Sequence, residues 1–109
     1  MTYVDAAIVL DALGDPTRRR VLDTLRRGPL AVGDIAAGLP VSRPAVSQHL
    51  RVLKGAGLVT ARREGTRHLY AVDPDGLASL RTYLEDVWDD ALRAFADAAE
   101  AADIEGREG

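Results

Sequence analysis

Residues 42–58 read SRPAVSQHLRVLKGAGL, and this stretch has the pattern of an amphipathic helix with a capped start and a glycine-marked end. Ser42 is suited to cap the helix, and Pro44 fits the first turn, where a proline removes no helical hydrogen bond. Three aliphatic residues recur at i, i+4 and i+7, which predicts one buried face. These residues are Val46, Leu50 and Leu53.

The opposite face of this helix is polar and basic. Arg43, Ser47, Arg51 and Lys54 follow one row, with Pro44 and Gln48 beside them. Arg can pair with guanine, Gln can pair with adenine, and Ser is short enough to let a helix approach the major groove closely. Residues near the start of such a helix reach base edges, whereas later ones contact phosphates. We therefore predict base contacts at Arg43, Pro44, Ser47 and Gln48, next to Ser42, and phosphate contacts at Arg51 and Lys54. The alternative is an ordinary solvated helix face.

Helical patterns also precede this stretch. The first covers Thr2 to Leu13, with a broad apolar stripe expected at Val4, Ala6, Ala7, Ile8 and Leu10. Asp15 and Pro16 open a second helix that stops at Gly28-Pro29. Its expected core residues are Val21, Leu22 and Leu25. Residues 30–32 fit either an extended piece or a helix entry, and Ile35 to Ala37 form a short third helix.

A β-hairpin is predicted after the fourth helix, with strands at 58–63 and 66–72 and a turn at Glu64-Gly65. Asp73-Pro74 then opens a long last helix. A short helix, a tight turn and a capped helix make a helix-turn-helix, and the hairpin after it is its wing. The predicted fold is mainly α with a small β-hairpin: a winged helix-turn-helix of about five helices and a two-stranded wing. We expect one domain over residues 1–102 and a flexible tail over 103–109 that contains the sequence Ile-Glu-Gly-Arg.

Charge is divided unevenly along the 109 residues, whose net charge is −3. Residues 1–67 hold eleven Arg and Lys against six Asp and Glu, and residues 68–109 hold three against eleven. This split predicts a basic pole that includes the polar helix face, and an acidic pole along the last helix.

The predicted wing adds basic residues to that pole, at Arg62, Arg63 and Arg67. A basic hairpin beside a helix-turn-helix is suited to the DNA backbone or the adjacent minor groove. The alternative is that these arginines only keep the hairpin soluble. Arg18, Arg19 and Arg20 oppose the helix dipole where they lie, so DNA contact, an acidic partner and a solvated face all stay open for them.

Together, three segments resemble the ArsR-type winged-helix transcriptional repressors, over roughly residues 7–98. They are LGDPTRRRVLDTL at 13–25, SRPAVSQHLRVLKGAGLV at 42–59 and RREGTRHLYAVD at 62–73. The resemblance implies a homodimer that binds an inverted-repeat DNA operator and represses transcription. It also implies that the fourth helix reads DNA, at Arg43, Pro44, Ser47 and Gln48, and that the first and last helices form the dimer interface.

Many members of that family release DNA on binding a metal, and this chain departs from their sites. Ala31 and Gly33 occupy the positions of a Cys-x-Cys pair, and residues 73–109 contain no His. Soft and borderline metals prefer thiolate or imidazole ligands. We therefore predict no metal site and no cofactor, and we interpret His49 and His68 as packing or hydrogen-bonding residues, with phosphate contact also open to His68.

The last helix carries two apolar seams, more than a small monomer can cover. A twofold partner is the usual cover, so we expect a homodimer; the alternative is that both seams pack on the first helix of the same chain. The predicted interface residues are Val4, Ile8, Leu84, Trp88, Leu92 and Phe95.

The sequence leaves few other functions open. It has no Cys, no glycine-rich phosphate loop and no clustered His, so it does not predict an enzyme. No apolar run approaches the ~20 residues of a membrane span, and the N-terminus does not show the basic region followed by an apolar block that is typical of a signal peptide. We therefore expect a cytoplasmic protein with no membrane partner. A winged helix used for protein interaction is the alternative, but such a module needs no basic recognition face. The sequence does not decide which signal would release DNA. An organic ligand near Tyr83, Trp88 and Phe95, a partner protein and no signal at all remain open.

Overall fold

The computed structural model describes residues 3–108, with the side chains of residues 5–103. Five helices and one hairpin follow each other in the predicted order. They are α1 (Tyr3–Leu13), α2 (Pro16–Thr24), α3 (Val32–Ala37), α4 (Arg43–Gly55), β1 (Val59–Glu64), β2 (Arg67–Val72) and α5 (Pro74–Glu108). The predicted fold class, a winged helix-turn-helix with a two-stranded wing, is confirmed.

The core lies where α2, α3 and α4 meet the base of the wing. Val46, Leu50 and Leu53 of α4 are each at most 1% exposed, as the i, i+4, i+7 spacing predicts. Ile35 of α3 and Leu58, just before β1, are fully buried beside them. The predicted core residues of α2 are buried too, at Val21, Leu22 and Leu25. This packing leaves the polar face of α4 outside.

Of the described side chains in the predicted apolar stripe of α1, only that of Ala6 is buried within the chain. Ala6, Val9 and Ala12 are buried, whereas Ile8 is 46% and Leu10 is 43% exposed. Ala7 is exposed as well. Because α1 is apolar on nearly every side, its sequence does not mark one face, and its packing against α5, α2 and α4 decides which residues are buried. The side chain of Val4 lies outside the described residues.

Asp15 caps α2, as predicted. Its carboxylate accepts hydrogen bonds from the backbone N–H groups of Thr17, at 2.7 Å, and Arg18, at 3.2 Å. The bond from Arg18, the largest contribution, lowers the pKa of Asp15 below its ordinary value of 3.8, against the opposing effect of partial burial. The charged cap therefore stabilises the start of α2.

Two of the three consecutive arginines in α2 have a structural role that the sequence did not reveal. Arg18 donates from Nε to the carbonyl oxygen of Ala12 at 2.6 Å, and Arg19 donates from Nη1 to that of Leu13 at 2.7 Å. These carbonyls belong to the last turn of α1, which has no intrahelical donors for them. The arginines thus cap α1 from the following helix, which explains why they are tolerated in the first turns of α2.

The wing is an antiparallel pair in which Val59 lies opposite Val72 and Glu64 opposite Arg67. The two residues between the strands are Gly65, at φ +64°, and Thr66, so the turn lies one residue later than predicted. Before α3, Leu30 forms a single β-bridge to Tyr70. Residues 30–32 therefore combine both predicted alternatives, an extended residue and a helix entry.

Helix α5 projects away from the rest of the chain, whose overall extents are 74 × 30 × 21 Å. Leu77 and Leu80, in its first turns, pack against the core. The helix continues through Glu108, beyond residue 102, where we predicted that the ordered domain ends. The alanine- and acid-rich sequence of residues 96–105 contains no Gly or Pro that would stop a helix. Among the described residues, no helix has the length and apolar character needed to cross a membrane.

Candidate nucleic-acid interface

All the predicted side chains of the recognition face are exposed on one side of α4. Ser42 caps the helix, since its Oγ accepts a hydrogen bond from the backbone N–H of Ala45 at 3.2 Å. Pro44 lies in the first turn, as predicted. The recognition face is defined here as Ser42, Arg43, Pro44, Ser47, Gln48, Arg51 and Lys54.

Two members of the recognition face are connected to each other. Arg51 donates from Nη1 to Oε1 of Gln48 at 3.1 Å. Because the amide oxygen of Gln48 accepts this hydrogen bond, its NH₂ group remains available to donate to a partner such as DNA. The pair therefore presents donors from both side chains on the outer side of α4.

Arg43 lies against α3 rather than standing free. A Cβ atom placed on Gly33 would be 3.1 Å from Nη2 and 3.3 Å from Cζ of Arg43. The guanidinium therefore covers the backbone of α3 at its only glycine. This contact connects the first helix of the helix-turn-helix to the start of the second.

The three wing arginines differ in their partners. Arg67 forms an ion pair with Asp34 of α3, with Nη2 and Oδ2 2.8 Å apart. Arg62 is 3.5 Å from the carboxylate of Glu64 on the same strand. Arg63 lies opposite His68 in the strand register and forms no ion pair within the described part of the chain. All three arginines are exposed, so the wing adds positive charge beside α4.

A cleft between α4 and β2 contains one residue that the sequence analysis did not select. Ser47, Arg51 and Lys54 line it together with Leu50 and Tyr70. Tyr70 is half-buried, and its backbone pairs with Leu30 at 2.9 and 3.0 Å. The alternation of the return strand could have indicated that Tyr70 shares a face with His68, but not that this face meets α4.

The large aliphatic and aromatic side chains of α5 at Leu84, Val87, Trp88, Leu92 and Phe95 are each about half or more exposed within the described part of the chain. Trp88 is 67% and Phe95 is 73% exposed, and Leu84 and Leu92 are each more than half exposed. Their spacing puts them on one side of the helix. The alternative in which both seams pack on α1 of the same chain is therefore wrong. We call this surface the apolar face of α5: Leu84, Val87, Trp88, Leu92 and Phe95.

The two histidines lie apart from each other. His49 is half-buried on α4, and its Nδ1 is buried without a hydrogen-bond partner among the described residues. His68 is exposed on β2. Among the residues whose side chains are described, no three His, Cys, Asp or Glu come together in an arrangement that could hold a metal ion.

Comparison with known proteins agrees with this architecture. Residues 15–61 match the family model described as "Bacterial regulatory protein, arsR family". The HTH-type transcriptional regulator Rv2034 of Mycobacterium tuberculosis is 55% identical over 95 residues, which are 87% of this chain and 89% of the relative. The transcriptional repressor SdpR of Bacillus subtilis is 40% identical over 65 residues, 60% of this chain and 72% of the relative.

Solved structures show the same fold. An ArsR-like transcriptional regulator from Rhodococcus sp. RHA1 superposes with a TM-score of 0.76 at 34% identity, over 89% of this chain and 94% of that chain. A homodimeric winged helix-turn-helix DNA-binding domain from Mycobacterium bovis gives a TM-score of 0.64 at 38% identity, over 81% and 82% of the two chains. With this fold, this exposed basic face and these relatives, the chain belongs to the arsR family of bacterial regulatory proteins and is a transcriptional regulator, not an enzyme.

Proposed function

We propose that the chain is a cytoplasmic homodimeric repressor that binds an inverted-repeat operator. The observation that carries this proposal is the exposure of the recognition face and of the basic wing on neighbouring elements of one chain. Arg43, Pro44, Ser47 and Gln48 would contact base edges, since they lie in the first two turns of α4. The resemblance to the relatives named as transcriptional regulators and repressors supports the same role.

Phosphate contacts would surround these base contacts. Arg51, Lys54 and Tyr70 line the cleft between α4 and β2, which is suited to a backbone phosphate. Arg62, Arg63 and Arg67 would contact the backbone or the minor groove beside the wing. Such contacts raise affinity for any DNA and fix the orientation of α4 without selecting a sequence.

A second copy of the chain is the proposed cover for the apolar face of α5. An exposed patch that contains Trp and Phe is typical of an interaction surface, and Ile8 of α1 adds a further exposed apolar side chain. Twofold symmetry makes such a surface complementary to itself. The dimeric Mycobacterium bovis neighbour supports this assembly. The two recognition faces would then lie about one DNA turn apart, near 34 Å.

We further propose that operator binding does not depend on the metal sites common in this family. Ala31 and Gly33 supply no thiolate, and residues 73–109 supply no imidazole. Release would then follow from another signal, such as an organic molecule or a partner protein.

Binding selection from a random DNA library tests the proposal directly. The purified chain is incubated with the library, with and without added zinc, and the bound DNA is sequenced. We expect one enriched inverted repeat that is the same in both conditions. No enrichment, or an enriched site without twofold symmetry, would contradict the proposed dimeric repressor, and a site that is lost with zinc would contradict metal independence.

A further inference from the structure

The first turn of α3 lies between the start of the recognition face and the wing. The guanidinium of Arg43 lies over Gly33, where a Cβ would be 3.1 Å from Nη2, and Asp34 pairs with Arg67 at 2.8 Å. Gly33 therefore lies next to Arg43, which is proposed to contact bases, and Asp34 is paired with Arg67, which is proposed to contact phosphates. Neither was selected from the sequence, because both contacts join residues that are distant along the chain.

Gly33 provides space for Arg43. A Cβ at this position would lie 3.1 Å from Nη2, tighter than most Cβ contacts, so one of the two groups would have to shift by a few tenths of an ångström. The atom it would meet is the far end of a flexible side chain, so the guanidinium would move away and the backbone would not. The absence of a side chain at Gly33 thus leaves room for the guanidinium of Arg43 against α3.

Asp34 restrains Arg67. Both side chains are more than half exposed, at 61% for Arg67 and 56% for Asp34, so the pair contributes little to folding stability. Its effect is on position, since one guanidinium N–H group is engaged and the other donors stay available. An acidic residue at this site also reduces the positive charge of the wing.

We propose that the first turn of α3 positions both arginines, with Gly33 seating Arg43 and Asp34 holding Arg67, so that the chain discriminates its operator from other DNA. This inference rests on the proposed function. Nonspecific binding is electrostatic and tolerates varied geometry, whereas operator binding needs each donor in place. Loss of Asp34 therefore weakens operator binding and strengthens nonspecific binding.

The test compares variants on two duplexes: the sequence selected from the library, and a scrambled duplex of equal length. For Asp34→Asn we expect operator affinity to fall about two- to fivefold and affinity for the scrambled duplex to rise about twofold. In an Arg67→Gln background, Asp34→Asn should no longer lower operator affinity. Asp23→Asn removes one negative charge from the exposed side of α2 and is the matched control. It should not lower operator affinity.

Gly33→Ala tests the other half of the positioning element. We expect operator affinity to fall about two- to fivefold with little change on the scrambled duplex, since the guanidinium of Arg43 shifts from the position it has over Gly33. Gly38→Ala, at the opposite end of α3, is the control, because a Cβ there would meet its nearest atom at an ordinary 3.8 Å. Neither variant should be less stable than the wild type, since Ala is the better helix former at Gly33, and Gly38 has an ordinary φ of −94°.

The outcomes separate this inference from the proposed function. If the wild-type chain enriches no sequence, the proposed function fails. If it enriches an operator but Asp34→Asn changes both affinities in the same direction, or lowers operator affinity equally without Arg67, the role of Asp34 is wrong. Equal operator binding by Gly33→Ala and Gly38→Ala would overturn the role of Gly33.

Discussion

Gly57 and Gly76 lie so close together that a side chain at Gly76 would overlap the carbonyl group of Gly57. Gly57, at φ +79°, follows α4, and Gly76 lies in the first turn of α5. Beside them, the backbone N–H of Asp73 donates to the carbonyl oxygen of Leu58 at 2.8 Å. These backbone contacts, together with the packing of Leu77 and Leu80 against the core, fix the start of α5 against the end of α4.

Gly76→Ala should destabilise the chain by about 1–3 kcal/mol, because the added methyl group forces the two backbone segments apart. Urea unfolding at a fixed protein concentration measures this change. Gly55→Ala is the control, since a Cβ at Gly55 would have no atom within 4 Å. Equal stability of the two variants would show that the contact can relax without cost.

Replacing both Trp88 and Phe95 by Ala should weaken the proposed dimer. Central aromatic residues of an interface each contribute about 2 kcal/mol or more, so loss of both should raise the dissociation constant by roughly a thousandfold. Sedimentation equilibrium measures it. The control replaces Arg93 and Asp97, exposed on the opposite side of α5, by Ala without changing the net charge. A dimer equally strong in both variants would locate the interface elsewhere.

Gln48→Ala should lower affinity for the selected operator by about 1–3 kcal/mol and relax the base preference at one position of each half-site. The variant also loses the hydrogen bond from Arg51. Because Arg51 is proposed to contact phosphate, that loss should affect all duplexes equally and not the base preference. Lys54→Ala, on the same face, should instead weaken binding to all duplexes alike. Titrations against single-base variants of the operator distinguish these patterns, and a uniform loss for Gln48→Ala would remove it from the base contacts.

Arg63→Gln should reduce the slope of log affinity against log salt concentration by about one unit. The reason is that Arg63, unlike Arg62 and Arg67, has no carboxylate partner among the described residues and is free to release a counterion from a phosphate. Affinity measured over a range of salt concentrations gives the slope. An unchanged slope would place the tip of the wing away from DNA.

Asp15→Asn should make the chain less sensitive to acid. Because the pKa of Asp15 is lowered in the folded state, its charged form contributes stability that is fully present above the ordinary value of 3.8 and is lost as pH falls through the lower folded value. Asn caps helices about as well and does not titrate. The free energy of unfolding should therefore fall less between neutral and acidic pH in Asp15→Asn than in the wild type, and equal losses would contradict the assignment.

The α4 helix could be predicted because its local signals agree with its packing. The cap at Ser42 and the three aliphatic residues at i, i+4 and i+7 are all confirmed. The face of α1 could not be predicted, since Ala6 and Ile8 are both apolar and packing against α5, α2 and α4 selects between them. Hydrophobic periodicity determines a buried face only where polar residues mark the other one.

The partners of the arginine side chains could not be predicted from the sequence for a different reason. Arg18 and Arg19 each bond to a carbonyl six residues earlier, and Arg67 pairs with Asp34 across 33 residues. A basic pattern indicates that positive charge is present, but not which arginines are already engaged by the fold. The exposed residues of the recognition face were predicted, whereas the contact of Arg43 with α3 was not.

Dimerisation through the apolar face of α5 would make DNA binding depend on how much of the protein the cell contains. With a second copy as the cover for Trp88 and Phe95, the fraction of chains able to bind both half-sites depends on mass action between copies. At low expression, the paired form grows with the square of chain concentration. Repression would then begin at a threshold level of synthesis, and a twofold change near that threshold would alter operator occupancy by up to about fourfold.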